Sequence, residues 1–144
     1  MNNFGKNSEM RILTCHPDLI ILFKTVILNY DCSVICGHRG EKEQNEAFAT
    51  GNSKLQWPNS KHNSSPSMAI DVAPYEKTHI DWGKLQSAEF AGYVKGVADQ
   101  LFERGIMSHK IRRGIDWDND NDIDDTTFWD ASHFEIVSNK RENV

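Results

Sequence analysis

A chain of 144 residues fits one domain built around one core. Its 38% hydrophobic and 26% charged residues are those of a globular protein, which excludes the disordered and fibrous classes. With 16 Lys+Arg against 21 Asp+Glu, the net charge is -5 and no basic run stands out, so neither nucleic acid nor an anionic membrane surface is an expected partner.

The stretch from Met1 to Glu9 lacks the apolar centre of a signal peptide. The longest apolar run, Leu19 to Leu28, is broken by Lys24 and is too short to span a bilayer. The expectation is a protein made soluble in the cytoplasm with no membrane anchor.

His16-Pro17-Asp18 followed by Leu19, Ile20, Leu22, Phe23, Val26 and Ile27 predicts a buried helix with Pro17 in its first turn. Cys32 to Cys36 predicts a short strand that stops at Gly37. Glu41 to Thr50 predicts a polar helix ended by Gly51. A loop rich in Ser, Asn and Pro runs from Asn52 to Ser67. Met68 to Ala73 has the composition of a strand, with Pro74 as its expected end. Phe90, Val94, Val97 and Leu101 keep helical spacing from about Lys84 to Arg104. Lys110 to Ile115 and His133 to Val137 predict two more strands. About three helices and four short strands make an α+β domain with a small antiparallel sheet. Cys15, Cys32 and Cys36 form no C-x-x-C pair and read as small buried apolar residues in a reducing compartment.

Two fragments carry the chemistry. Ser60-Lys61-His62 leads through a loop to Ala69-Ile70-Asp71, and Asp130-Ala131-Ser132-His133-Phe134-Glu135 lies near the C-terminus. They offer two imidazoles and a carboxylate that could hold a transition metal, with a second carboxylate at Asp130. Three protein ligands with an open fourth position and a nearby base is the inventory of a catalytic zinc site, whereas a structural site closes itself with four Cys or His. His62 and Asp71 are too far apart in sequence for one helix face. They would have to converge through a loop-to-strand turn, and an adjacent strand could bring His133 beside Asp71. His16, His38, His79 and His109 belong to no such pattern and read as packed or surface residues.

The ordered set of motifs resembles the zinc peptidases that include D-alanyl-D-alanine carboxypeptidases and L-alanyl-D-glutamate peptidases (LAS-type metallopeptidases), bacteriophage endolysins above all. The resemblance rests on His16-Pro17-x-Leu19, Gly37-x-Arg39 with Gln44, Ser60-Lys61-His62-Asn63, Asp71-Val72-Ala73-Pro74-Tyr75, Asp81-Trp82 and Asp116-Trp117-Asp118. It runs roughly from Met10 to Val137, with a longer connection between His62 and Asp71 than the family commonly has. It implies zinc held by His62, Asp71 and His133, with Asp130 as general base. It also implies Arg39 facing an oxyanion or a substrate carboxylate, Gln44 at the substrate, Ser60 either at the substrate or in a loop hydrogen bond, and Glu135 orienting a ligand from behind. The implied activity is hydrolysis of an amide bond in the peptide stem of peptidoglycan, by a monomeric single-module enzyme (residues 1–144) without a wall-binding domain. Such an endolysin would reach the wall through a membrane lesion. A D-Ala-D-Ala carboxypeptidase is the alternative within the class, and a non-catalytic metal-binding domain that recognises peptide or glycan is the alternative outside it.

Asp116, Asp118, Asp120, Asp122 and Asp124 alternate through one loop, an echo of a calcium-binding loop with Ile123 at the usual apolar position. Asn121 stands where such a loop has Gly, and Thr127 where it has its last Glu. A calcium ion would relieve the mutual repulsion of these carboxylates and order the approach to Asp130 and His133.

Overall fold

The computed structural model describes residues 2–76 and 78–138. In chain order they form α1 (Lys6–Ile12), α2 (Pro17–Val26), β1 (Cys32–Cys36), α3 (Glu41–Ala49), a single 3-10 turn (Lys61–Asn63), β2 (Ala69–Glu76), β3 (His79–Ile80), α4 (Lys84–Glu103), β4 (Lys110–Arg113) and β5 (His133–Val137). The strands make one antiparallel sheet in the order β1-β2-β5-β4, with β3 pairing the end of β2. The α+β class and the antiparallel sheet are as the sequence predicts.

The sheet has two chemically different faces because side chains alternate along a strand. Ile70 and Val72 of β2 and Phe134 and Ile136 of β5 point into the core. There Phe134 lies edge-on between Phe23 of α2, at 5.3 Å, and Phe90 of α4, at 6.1 Å. Truncating such a fully buried phenylalanine costs about 3–5 kcal/mol. The alternate residues, Asp71 of β2 with His133 and Glu135 of β5, are thereby forced onto the opposite face. A hydrophobic core on one side thus delivers three polar groups to the other.

Besides the short added strand β3, three features differ from the sequence expectations. Helix α1 was not foreseen, since only Ser8 and Ile12 of its seven residues are buried. It covers the edge of β1: Val34 N–H donates to Ser8 Oγ at 3.0 Å, and Arg11 Nη1 donates to the Val34 carbonyl at 3.0 Å. That removes the open backbone groups that make an edge strand a liability. Strand β2 continues through Pro74 to Glu76. Tyr75 N–H donates to Asp31 at 3.0 Å, so alternation turns the Pro74 nitrogen away from β1, where its missing hydrogen costs no bond to that strand. Strand β4 ends at Arg113 rather than Ile115, because Gly114 turns the chain off the sheet to hydrogen-bond Asp130.

Candidate metal centre

Asp71 and His133 are directly opposite each other on β2 and β5. His62 reaches them from the 3-10 turn. Ser60 caps that turn, its Oγ accepting the His62 N–H at 3.2 Å, while Asn63 Oδ1 accepts the Ser60 N–H at 3.0 Å. The long connection to Asp71 is pinched off by Met68 N–H donating to the Lys61 carbonyl at 3.0 Å. Ser64, Ser65 and Pro66 therefore bulge into solvent, while Ser67 is buried.

Three atoms converge. His62 Nε2 lies 3.2 Å from Asp71 Oδ1, His133 Nδ1 lies 3.5 Å from the same oxygen, and the two nitrogens are 3.3 Å apart. Corners of a tetrahedron with bonds of about 2.0–2.1 Å are about 3.3–3.4 Å apart, so the triangle has the size zinc requires. The outer ring nitrogens are already committed. His62 Nδ1 is 2.8 Å from the Gly37 carbonyl, and His133 Nε2 is 2.8 Å from Glu135 Oε1. Each imidazole spends its N–H outward and turns a lone pair inward, the tautomers that metal ligation needs. Asp71 Oδ1 is buried with no hydrogen-bond partner. Three lone-pair atoms facing one another demand a cation.

The electrostatics say the same. Burial opposes protonation of His62, but a proton on Nε2 would be received by Asp71 Oδ1 and favoured by its charge, which outweighs burial and pushes the group up to about 10. His133 is raised in the same way against its burial. Asp71, despite its burial, is held far below the usual carboxylate range by His133 and His62. Without a metal, a proton is the cation this triangle attracts.

Asp130 stands beside the triangle, with one carboxylate oxygen within 4.8 Å of ligand atoms of Asp71 and His133. Burial, then the charge of Asp71, raises its affinity for a proton, which suits a base. Its backbone is fixed by Asp130 N–H to Gly114 O at 2.9 Å and His133 N–H to Asp130 O at 3.1 Å. Arg39 Nη2 lies 3.2 Å from Asp71 Oδ2, which leaves Oδ1 for the centre, and Nη1 donates to Gln44 Oε1 at 3.1 Å. Glu135, pulled down to about 2 against its burial by His133 and then Lys61, holds the back of His133.

Gln44, expected at the substrate, and Ser60, with its two open readings, are both engaged within the protein. Gln44 is fully buried, its amide nitrogen donating to Ser53 Oγ and the Leu55 carbonyl and its oxygen accepting from Arg39 and Asn63. It positions the arginine and has no open face. Ser60 spends its hydroxyl on the cap of the His62 turn. Conversely, a bulge in β1 sets Cys36 opposite Asp71, within ligand distance of His62 and Asp71. Its thiol hydrogen points to the Gly37 carbonyl at 3.5 Å. The sequence reading missed Cys36; its one signal was adjacency to the Gly37-x-Arg39 motif. Cys15 and Cys32 are buried thiols pushed up to about 12 by desolvation, hence unreactive.

In the acidic loop, Asp116 is buried and accepts from the N–H groups of Asp120 and Asn121 and from Arg113 Nη2. Asp116, Asp118 and Asp120 bring oxygens within 4.8 Å of one another, a grouping that does not include Asp122 or Asp124. Those two take part in successive turns, Asp122 N–H on Asp120 and Asp124 N–H on Asp122. Asn121 has φ of 70°, so asparagine here supplies the left-handed conformation for which such loops use glycine. The loop leans on the centre through Trp117, whose ring lies 5.2 Å from that of His133. A further grouping, His16, Asp18 and His109, is already engaged. His16 Nδ1 accepts the Asp18 N–H, and Asp18 Oδ2 accepts the N–H groups of Ser108 and His109 and faces His109 Nδ1.

Residues 1–137 match the family described as phage L-alanyl-D-glutamate peptidase. The chain is 34% identical over 140 residues to the L-alanyl-D-glutamate peptidase of Escherichia phage T5, covering 93% of this chain and 97% of that protein. Its fold is similar to the crystal structure of the Serratia marcescens L-Ala D-Glu endopeptidase ChiX, with a TM-score of 0.72 at 22% identity over 94% of this chain and 91% of that one.

Proposed function

The chain belongs to the phage L-alanyl-D-glutamate peptidase family, and from that membership we propose that it cuts the L-alanyl-D-glutamate bond of peptidoglycan stem peptides with zinc held by His62, Asp71 and His133. The observation that carries the metal reading is the triangle of inward lone pairs with sides of 3.2, 3.3 and 3.5 Å, one corner of which is the buried Asp71 Oδ1. Bound zinc would supply an acidified water and a polarised scissile carbonyl. Asp130 accepts the proton of the attacking water and returns it to the departing amine of D-glutamate. Arg39 holds Asp71 by its outer oxygen and keeps the inner one aimed at the centre, while Glu135 does the same for His133. Among the described residues no helix is long and apolar enough to cross a membrane.

The test is digestion of purified peptidoglycan with the zinc-reconstituted protein, followed by mass spectrometry of the new termini. New N-terminal D-glutamate supports the reading. Free D-alanine would replace it with carboxypeptidase activity, and no release would replace it with a binding role.

We also propose that the acidic loop takes a calcium ion through Asp116, Asp118 and Asp120. Support comes from their convergence and from the left-handed Asn121. Calcium titration should show one site and a change in turnover relayed through Trp117; no binding and no change in turnover would remove it.

A further inference from the structure

The two histidines of the centre sit on segments with separate origins. His62 is on a 3-10 turn in a long loop, and His133 opens the strand β5. A tetrahedral site tolerates little relative motion between them, so something must tie the turn to the strand. Lys61, the neighbour of His62, turns the opposite way and reaches β5. Its Nζ lies 3.0 Å from Glu135 Oε2 and also donates to the Ile136 carbonyl. The backbone repeats the tie: Met68 N–H donates to Lys61 O at 3.0 Å, and Ile136 N–H to Met68 O at 2.9 Å.

Glu135 is the pivot. It is 5% exposed, so its charge must be paired where it stands. One oxygen receives His133 at 2.8 Å. The other receives Lys61 at 3.0 Å and Arg112 Nη2 at 2.7 Å. Arg112 pairs with Glu135 within the sheet, from the neighbouring strand, and so says nothing about where His62 lies. Of the two cations on this carboxylate, Lys61 is the one that joins it to the His62 turn.

We propose that Lys61 is a positioning residue for the metal centre: by holding Glu135 and the β5 backbone from the turn that carries His62, it fixes the distance between the two imidazoles. This role rests on the zinc reading above. The Lys61 ammonium is spent on Glu135 and the Ile136 carbonyl, so it acts through Glu135 on one side and its peptide link to His62 on the other.

The test measures zinc affinity by competition with a chromophoric chelator, alongside melting of the metal-free protein. Zinc binding by the unaltered protein is read first, since its absence would sink the zinc reading itself. Lys61→Met keeps the length of the side chain and removes the charge. It should weaken zinc binding roughly tenfold or more at a temperature where the metal-free variant is still folded by its melting curve. Lys61→Arg, which can still bond a carboxylate and a carbonyl, should stay within roughly threefold of the original affinity. Unchanged affinity in Lys61→Met, or failure of Lys61→Arg to restore what Lys61→Met loses, would overturn the proposal. Should Lys61→Met not fold, Lys61→Gln, which also removes the charge, decides in its place. It must weaken zinc binding by a similar factor, and unchanged affinity there would equally overturn the role.

Discussion

Gly114 lies where the chain leaves β4, and its conformation is not what requires glycine. A Cβ at that position would stand 2.1 Å from the carbonyl oxygen of Asp130, 3.0 Å from its carbon and 2.9 Å from His133 Cβ. Ordinary contact begins at 3.4 Å, so Gly114→Ala must push the Asp130 backbone away by about 1 Å or more. That carbonyl accepts the His133 N–H at 3.1 Å, so one methyl group displaces the proposed base and a proposed ligand together. Overpacking of this kind costs about 1–3 kcal/mol of stability. A misplacement of about 1 Å costs about 100-fold in rate, or about 2.7 kcal/mol of barrier. The assay is kcat/KM for release of N-terminal D-glutamate, with thermal melting as companion and Gly96→Ala as control. Gly96 is in the interior of α4 with open space around it, so alanine there should leave turnover unchanged and add up to about 1 kcal/mol of stability. Wild-type turnover in Gly114→Ala would refute the claim that this close approach sets the site.

Asp130→Asn should lower turnover by about 10²–10⁴-fold while zinc affinity changes less than about threefold; full turnover, measured on the same peptide, would remove Asp130 as base. In the metal-free protein His62 is raised from 6.5 to about 10, so its pairing with Asp71 stabilises the fold fully below pH 6.5 and that contribution fades as the pH climbs to about 10. Asp71 and Glu135 are lowered, so their contribution is present above the ordinary carboxylate range and is lost as the pH falls below it. Melting of the metal-free protein should therefore peak in mildly acidic buffer and decline toward alkaline pH. Zinc must displace those imidazole protons, so its affinity should rise across the same alkaline window. An affinity that does not change with pH would contradict the proton-for-metal exchange.

The proposed ligand set was legible because its members are ordered, two histidines and an aspartate each in a short motif, with Asp71 and His133 on segments whose strand character shows in their composition. The core face of β5 was equally legible from Phe134 and Ile136. What escaped needed a third dimension. A seven-residue helix such as α1 carries too few apolar positions to show a period, and its purpose, covering Val34, is tertiary. Cys36 enters the site only through a bulge, and a one-residue slip in pairing leaves no trace in a single strand. Gln44 shares a motif with Arg39 that implies a substrate contact, yet its amide is bonded to Arg39, Asn63, Ser53 and Leu55. The long His62–Asp71 connection raised the question of whether the ligands could meet, and the Lys61–Met68 hydrogen bond answers it by closing the loop beneath its exposed tip.

Zinc K-edge X-ray absorption on the reconstituted protein reads the centre most directly. The account requires a first shell of nitrogen and oxygen alone at about 2.0–2.1 Å, with the outer-shell scattering of two imidazoles, from His62 and His133. A sulfur scatterer at about 2.3 Å would put Cys36 in the coordination sphere, and a shell without imidazole would contradict the centre altogether.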